Sequence, residues 1–412
     1  MYRILPKKIT EKTVSLPPSK SLSHRMAILA GLNRGRTVIE NFLCADDTEI
    51  TLNALRNMGM EARRGGDRLA VSQPIERARE GEIYLGNSGS SARFLLPLGA
   101  FLDQPVRFYG EPRLHQRPFE ELFAALGELG IRFSASENSL PATVYPGKMA
   151  GGAVGLKNLR SSQAVTALML AGLWMDSDLV IHLPEEIPSA AYIRMTHQLM
   201  ARLGLEVESA GKQVRVKAER PAAEWNYTVE KDLSAASYWV VLGLIHEARI
   251  ILPGVRLPSL QGDERIFSIA QEAGAEVVCH PDRVEIQGGV RRGLDLDCRE
   301  IPDLVPALSV LGLFSPAPAR LRNVSHLSYK ESNRIEAIQQ NIAAIGGSSE
   351  YREGGLTILP AKRYRGAVIS TFNDHRIAMS FALAGSRIAG IVIDNPGCVS
   401  KSYPGFWRDF EK

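Results

Sequence analysis

Cysteine is sparse in this chain: Cys44, Cys279, Cys298 and Cys398 are the four among 412 residues, and no two form a CxxC pair. Such sparse usage suits reduced thiols in a cytosol better than a disulfide framework. Long apolar runs are also missing. The longest, about residues 164–175, is well short of the ~20 needed to span a bilayer. The opening residues, Met1-Tyr-Arg-Ile-Leu-Pro-Lys-Lys8, lack the apolar stretch of a signal peptide. Neither sign of charge dominates, since 49 Lys plus Arg against 45 Asp plus Glu leave a net +4. With aromatics at only 7% and no RNA-binding motif, nucleic acid is not an expected partner. No His/Cys/Asp cluster has metal-ligand spacing, so no metal is expected. Hydrophobic residues (45%) and charged residues (23%) are near the globular average, which excludes wholesale disorder. The expectation is a cytoplasmic protein, off the membrane, with room for two large domains.

The most informative positive feature is a period. Five amphipathic helical patterns end in a glycine, at Gly59, Gly130, Gly204, Gly274 and Gly346, at spacings of 71, 74, 70 and 72 residues. A glycine just past a helix is the expected left-handed cap. Six candidate helix starts, Ser21, Ser88, Ser161, Asp232, Asp303 and Asn373, keep the same beat at spacings of 67, 73, 71, 71 and 70. Six copies of a unit of about 70 residues, each reading β-α-β-α-β-β, account for nearly the whole chain. They predict an α/β (α+β layer) fold of two domains with three repeats each. Residues 19–230 form one domain; residues 231–412, with the N-terminal strand Tyr2 to Ile9 inside residues 1–18, form the other. The two crossings, near 17–18 and 229–231, would act as a hinge.

The helix starts gather the unusual residues. Leu16-Pro-Pro-Ser-Lys20-Ser21-Leu-Ser-His-Arg25 places cations in a first helical turn, where the macrodipole already disfavours them. They make sense there if an anion docks on the free N–H groups. Leu85-Gly86-Asn87-Ser88-Gly89-Ser90-Ser91 is a Gly/Ser-rich turn into a helix over 92–100, and Leu159-Arg160-Ser161-Ser162-Gln163 is a third polar start. Singly, each reads as capping. Further cations stand at Arg113 and Arg117, at Lys330 and Arg334 (i, i+4, hence one face if helical), at Arg376 and at Lys401. Together they suggest an anion-lined cleft between the domains. Two carboxylates stand out. Asp303 is an N-cap by default and a general base if it faces the cleft. Glu331 is a bland partner for Lys330 and Arg334, or an acid.

This constellation resembles the enolpyruvyl transferase family, and within it the 5-enolpyruvylshikimate-3-phosphate synthases. The resemblance runs through Pro-Ser-Lys-Ser with Arg25, Leu-Gly-Asn-Ser-Gly-Ser-Ser-Ala-Arg93, Gly-Glu-Pro-Arg113 with Arg117, Ser-Ser-Gln163, Lys-Glu-Ser-Asn-Arg334, Asn-Asp-His-Arg376 and the Lys401 segment. It implies two domains of three α/β units each, of the inverse α/β barrel kind. It also implies transfer of the enolpyruvyl group of phosphoenolpyruvate to the 5-hydroxyl of shikimate 3-phosphate, with release of phosphate, by a monomer without cofactor. By the same resemblance, Ser21 and Arg25 hold the shikimate carboxylate. Ser161, Ser162 and Ser189 hold its phosphate, with Lys330 and His326 on the same substrate. Gln163 and Tyr192 contact the ring side. Lys20, Arg117, Arg334, Arg376 and Lys401 surround phosphoenolpyruvate, with Asn87 and Gly89 lining the site. Asp303 is the implied base, and Glu331 the implied acid, with Lys20 as the alternative donor. Pro18, Phe94, His326 and Asn333 depart from the family's common pattern. A related enolpyruvyl transferase acts on UDP-N-acetylglucosamine and carries a cysteine in the loop near Arg117, where this chain has His115 and Gln116. A polyanion-binding protein on the same repeat would use the cations but not Asp303 and Glu331.

Overall fold

The computed structural model describes residues 1–412. The chain divides into two compact units, a continuous one of Lys20–Val229 and a discontinuous one of Met1–Ser19 with Glu230–Lys412. The period is plain in the strand pairing. Five sheets have four strands and the sixth has three. In the first sheet Trp225–Thr228 runs parallel to Thr37–Glu40, which pairs antiparallel with Arg68–Gln73, and that in turn with Glu61–Gly65. The sheet around Ala319–Arg322 repeats this order strand for strand, from Asp295–Asp297 to Ser348–Arg352.

The first helix of each repeat is buried: α1 (Lys20–Leu32), α2 (Gly89–Leu95), α3 (Gln163–Gly172), α4 (Leu233–His246), α5 (Val305–Leu313) and α6 (His375–Gly385). Every residue of α5 and α6 is buried, which follows in α5 from a sequence apolar or small on all sides and in α6 from the same composition after His375 and Arg376, the second of which is paired with Asp303. In the continuous unit α2 packs against α1 and α3; in the discontinuous unit α4, α5 and α6 pack on one another. Gln213–Val216 alternates exposed and buried residues and Arg249–Pro253 half-buried and buried ones, so these strands turn one face to the helices and the other outward. This is the expected two-body α/β fold with helices inside. All five repeat glycines have positive φ, from 75° to 110°, the left-handed conformation that releases the chain from helix to strand.

Some local expectations give way. The N-terminal run is two short strands, Tyr2–Arg3 and Glu11–Thr13, because Pro6 has no N–H for a ladder. They complete different sheets of the discontinuous unit, pairing with Val392–Ile393 and Arg249–Pro253. Where the chain leaves and re-enters that unit, Ser19 donates to Glu230 O (2.8 Å) and Asp232 to Pro17 O (2.9 Å). The helix expected over 92–100 is α2 followed by a tighter turn, Leu96–Phe101, because Pro97 interrupts the α-helical hydrogen bonds.

Candidate active site

In the continuous unit, polar residues at the starts of α1, α2 and α3 are held by buried contacts. Lys20 is the first residue of α1, 8% exposed, with Nζ 3.2 Å from Asp47 Oδ2. Ser21 offers its carbonyl to Arg25 Nη1 at 2.9 Å. Arg25 is 3% exposed and donates to Thr196 Oγ1 (2.8 Å), Thr166 Oγ1 (3.4 Å) and Tyr192 O (3.2 Å). All these acceptors are neutral, and no carboxylate stands opposite it. Burial pushes this guanidinium down to about 10, which still leaves it charged at neutral pH. Its flat face lies 5.2 Å from the Phe94 ring and 5.9 Å from that of Tyr192. The departure at Phe94 therefore puts a buried aromatic against a candidate substrate-binding arginine.

Ser88 caps α2 by accepting from Ser91 N–H. Asn87 and Gly89 are buried beside it. A Cβ on Gly89 would lie 2.3 Å from Arg117 Nη1 and 2.4 Å from its Cζ, so only glycine lets that guanidinium, 4% exposed, lie against the turn. Gln163 ties the start of α3 to α2: its Oε1 accepts from Arg93 (2.9 Å) and its Nε2 donates to Ser90 Oγ (3.0 Å). Ser161 Oγ accepts from Gln163 N–H (3.2 Å), and Ser162 beside it is 2% exposed. Ser189 is held at φ 63°, strained for a non-glycine residue, with a buried Oγ that has no hydrogen-bond partner.

The discontinuous unit carries a dense ion network. Arg334 has a side chain 1% exposed and touches three carboxylates: Asp303 (2.9 Å), Glu331 (2.7 Å) and Asp374 (2.8 Å). Arg376 reaches the other oxygen of Asp303 at 2.7 Å and donates to Tyr238 Oη at 3.3 Å. Burial alone would raise the Asp303 carboxyl, but Arg376, Arg334 and Lys330 outweigh it and hold it well below the usual range. His326 is 6% exposed; burial, helped by Lys330, pushes its imidazole down to about 3, so the ring is neutral with Nε2 lacking a partner. Lys401 ends the turn Pro396–Lys401, half-buried.

Three expectations are corrected here. Asp303 is no helix cap: α5 starts at Val305, with Pro306 in its first turn, and the Asp303 carboxylate is taken by two arginines. Lys330 and Arg334 share no helical face, because Lys330 is extended and Asn333 caps a helix that starts at Arg334. The cap of α6 is Asp374, accepting from Arg376 N–H at 2.9 Å, while Asn373 stands at φ 55° outside the helix. Sequence reasoning gave no role to Asp374 or Arg93, which it met only inside motifs, and passed over Asp47. Asp374 had a signal, as an acidic residue beside a predicted helix start; Asp47 and Arg93 meet their partners only through the fold.

The comparisons agree with one another. The family model described as EPSP synthase (3-phosphoshikimate 1-carboxyvinyltransferase) matches residues 5–410. A 3-phosphoshikimate 1-carboxyvinyltransferase of Syntrophobacter fumaroxidans is 36% identical, over 97% of this chain and 96% of the relative. One of Clostridium novyi is 32% identical, over 100% and 96%. Among solved structures, an EPSP synthase from Acinetobacter baumannii superposes with a TM-score of 0.81 at 24% identity, covering 100% of this chain and 97% of that one. The enolpyruvyl transferase NikO from Streptomyces tendae gives 0.78 at 18%, covering 99% and 96%. At these identities the two structures speak for the fold alone.

Proposed function

The chain belongs to the EPSP synthase (3-phosphoshikimate 1-carboxyvinyltransferase) family, and we propose that the polar residues at its helix starts, with the ion network around Arg334, carry out that reaction. The reaction transfers the enolpyruvyl group of phosphoenolpyruvate to shikimate 3-phosphate and releases phosphate, a step of the shikimate pathway to aromatic amino acids. Both substrates carry a phosphate and a carboxylate. The observation that carries the assignment is Arg25, buried with hydrogen bonds to neutral groups alone. A buried cation without a counter-ion is costly unless a ligand supplies one.

In this reading Arg25 and Ser21 hold the carboxylate of shikimate 3-phosphate. Ser161, Ser162 and Ser189 hold its phosphate, for which the unpartnered Ser189 Oγ is suited. Gln163, Tyr192, His326 and Lys330 complete that substrate's contacts. Lys20, Arg117, Arg334, Arg376 and Lys401 bind phosphoenolpyruvate, with Asn87 and Gly89 lining the site. Asp303 takes the proton of the 5-hydroxyl, and Glu331 or Lys20 protonates the methylene carbon. The oxygen attacks C2 to give a tetrahedral ketal; the methyl group then returns a proton as phosphate leaves. The arginines on Asp303 make it a weak base in the free protein. Phosphoenolpyruvate draws Arg334 and Arg376 toward its own charge, which weakens their hold and raises the basicity of Asp303 as the substrate arrives. No helix is long and apolar enough to cross a membrane, and we place the protein in the cytoplasm as a monomer.

The phosphate-release assay tests these roles. Arg25→Lys loses the fork that meets four acceptors and is expected to raise KM for shikimate 3-phosphate by about 10- to 100-fold, the worth of one charged hydrogen bond. KM for phosphoenolpyruvate should stay within about twofold; an equal rise in both would remove Arg25 from the assignment. Gly89→Ala has the opposite signature. Its methyl displaces the Arg117 guanidinium and is expected to raise KM for phosphoenolpyruvate roughly tenfold or more. An unchanged KM would mean that Arg117 holds no substrate.

A further inference from the structure

A groove in the continuous unit collects four arginines against a single carboxylate. Thr37–Glu40, Arg68–Gln73 and Glu61–Gly65 are neighbours in one sheet. Arg36 immediately precedes the first of these, Arg63 stands on the third opposite Ala70, and Arg79 follows the second. Arg56 closes the helix Asp46–Asn57, and the Arg79 N–H donates to Asn57 O (2.7 Å), pinning the later segment to the helix end. The four side chains line a groove of about 550 Å³ whose floor includes Met60 and Val71, and Glu61 is the one carboxylate lining it.

Neighbouring arginines behave differently. Arg64 pairs with Glu49, Arg68 with Glu40 and Arg77 with Asp103, so carboxylates are within reach of this surface. Arg36, Arg63 and Arg79 make no side-chain hydrogen bond and no ion pair. Arg56 donates to Asn53 Oδ1 (3.3 Å) and Ala62 O (3.5 Å), both neutral. Like charges gathered in a concave surface repel one another and focus a positive field. A guanidinium offers a planar fork that matches phosphate or carboxylate oxygens in pairs. None of these residues is assigned to the enolpyruvyl transfer.

We propose that this groove binds a small polyanion, a molecule carrying two or more phosphate or carboxylate groups. A single anionic group engages one fork; several groups on one frame engage three or four. The volume suits a triphosphate or tricarboxylate.

Calorimetric titration of the full chain at low salt tests this, with tripolyphosphate, ATP and citrate as probes and inorganic phosphate as the single-anion control. The expected result is binding of at least one multiply charged probe, at least tenfold tighter than phosphate. Binding of tripolyphosphate and ATP assigns a phosphate chain; binding of citrate alone assigns a polycarboxylate. The triple variant R36Q/R63Q/R79Q should weaken that binding at least tenfold with phosphate-release turnover unchanged. Should the triple variant fail to fold, Arg63→Gln alone should weaken it at least threefold. Unaltered affinity in the groove variants overturns the proposal, as does absence of binding by every probe. Loss of binding in Lys20→Ala with the groove intact overturns it too, by placing the anion among the residues of the reaction.

Discussion

Asp303→Asn is expected to lower turnover by about 10²- to 10⁴-fold, the range of a lost general base, while the protein stays folded. The substitution keeps the shape of the side chain and one acceptor oxygen, so one of Arg334 and Arg376, which use different oxygens of Asp303, retains a neutral acceptor while the other faces the amide NH2. Arg334 still has Glu331 and Asp374. KM for phosphoenolpyruvate should hold steady or fall, because the two arginines lose a competing anion. Steady-state phosphate release beside a thermal melt separates these effects, and wild-type turnover in the variant would remove Asp303 as the base. The pH dependence has a definite sign. The folded-state pKa of Asp303 is depressed, with Arg376, Arg334 and Lys330 outweighing burial. Its contribution to stability is therefore complete above the unfolded carboxyl value of about 4 and is lost as pH falls toward the lower folded value.

Arg334→Ala is expected to destabilise the protein by about 3–5 kcal/mol, the range for removing one partner of a buried ion pair. Burial opposes the charge on this guanidinium, but Asp374, Glu331 and Asp303 together hold it charged. Truncation leaves Asp374, with a fully buried side chain, facing Ser332 and the helix start without its cation. Lysine should rescue little, since an ammonium lacks the planar fork that meets three carboxylates at 2.7–2.9 Å. Denaturant unfolding of both variants measures the loss. Any turnover that Arg334→Ala retains should show its acid limb moved to higher pH, because the base has lost a neighbouring cation. A loss below about 1 kcal/mol would mean that water, and not the guanidinium, carries the balance of charge in this network.

The parts of the structure legible in the sequence are those set locally. A glycine at a helix end answers a backbone need that no other residue meets as well, so five of them at one period announced a repeated fold. The illegible parts are set by partners distant in sequence. Asp303 is 31 residues from Arg334 and 73 from Arg376, and nothing near it in the chain distinguishes a helix cap from an ion-pair carboxylate. The shared face of Lys330 and Arg334 failed for a local reason that was visible, the capping asparagine between them. The hydrogen bond of Arg93 with Gln163 joins the last turn of α2 to the start of α3, 70 residues apart, and was beyond any local rule.

The two short N-terminal strands have a consequence for biosynthesis. Tyr2–Arg3 finds its partner only in Val392–Ile393, and Glu11–Thr13 only in Arg249–Pro253. Every strand of the continuous unit lies between residues 37 and 228. As the ribosome delivers the chain, the continuous unit has all its strands once residue 228 has emerged. Tyr2–Arg3 must wait unpaired until Val392–Ile393 has been translated. The discontinuous unit therefore depends on a pairing between segments at Tyr2 and Ile393, and this slow, long-range step follows the local pairing of the continuous unit.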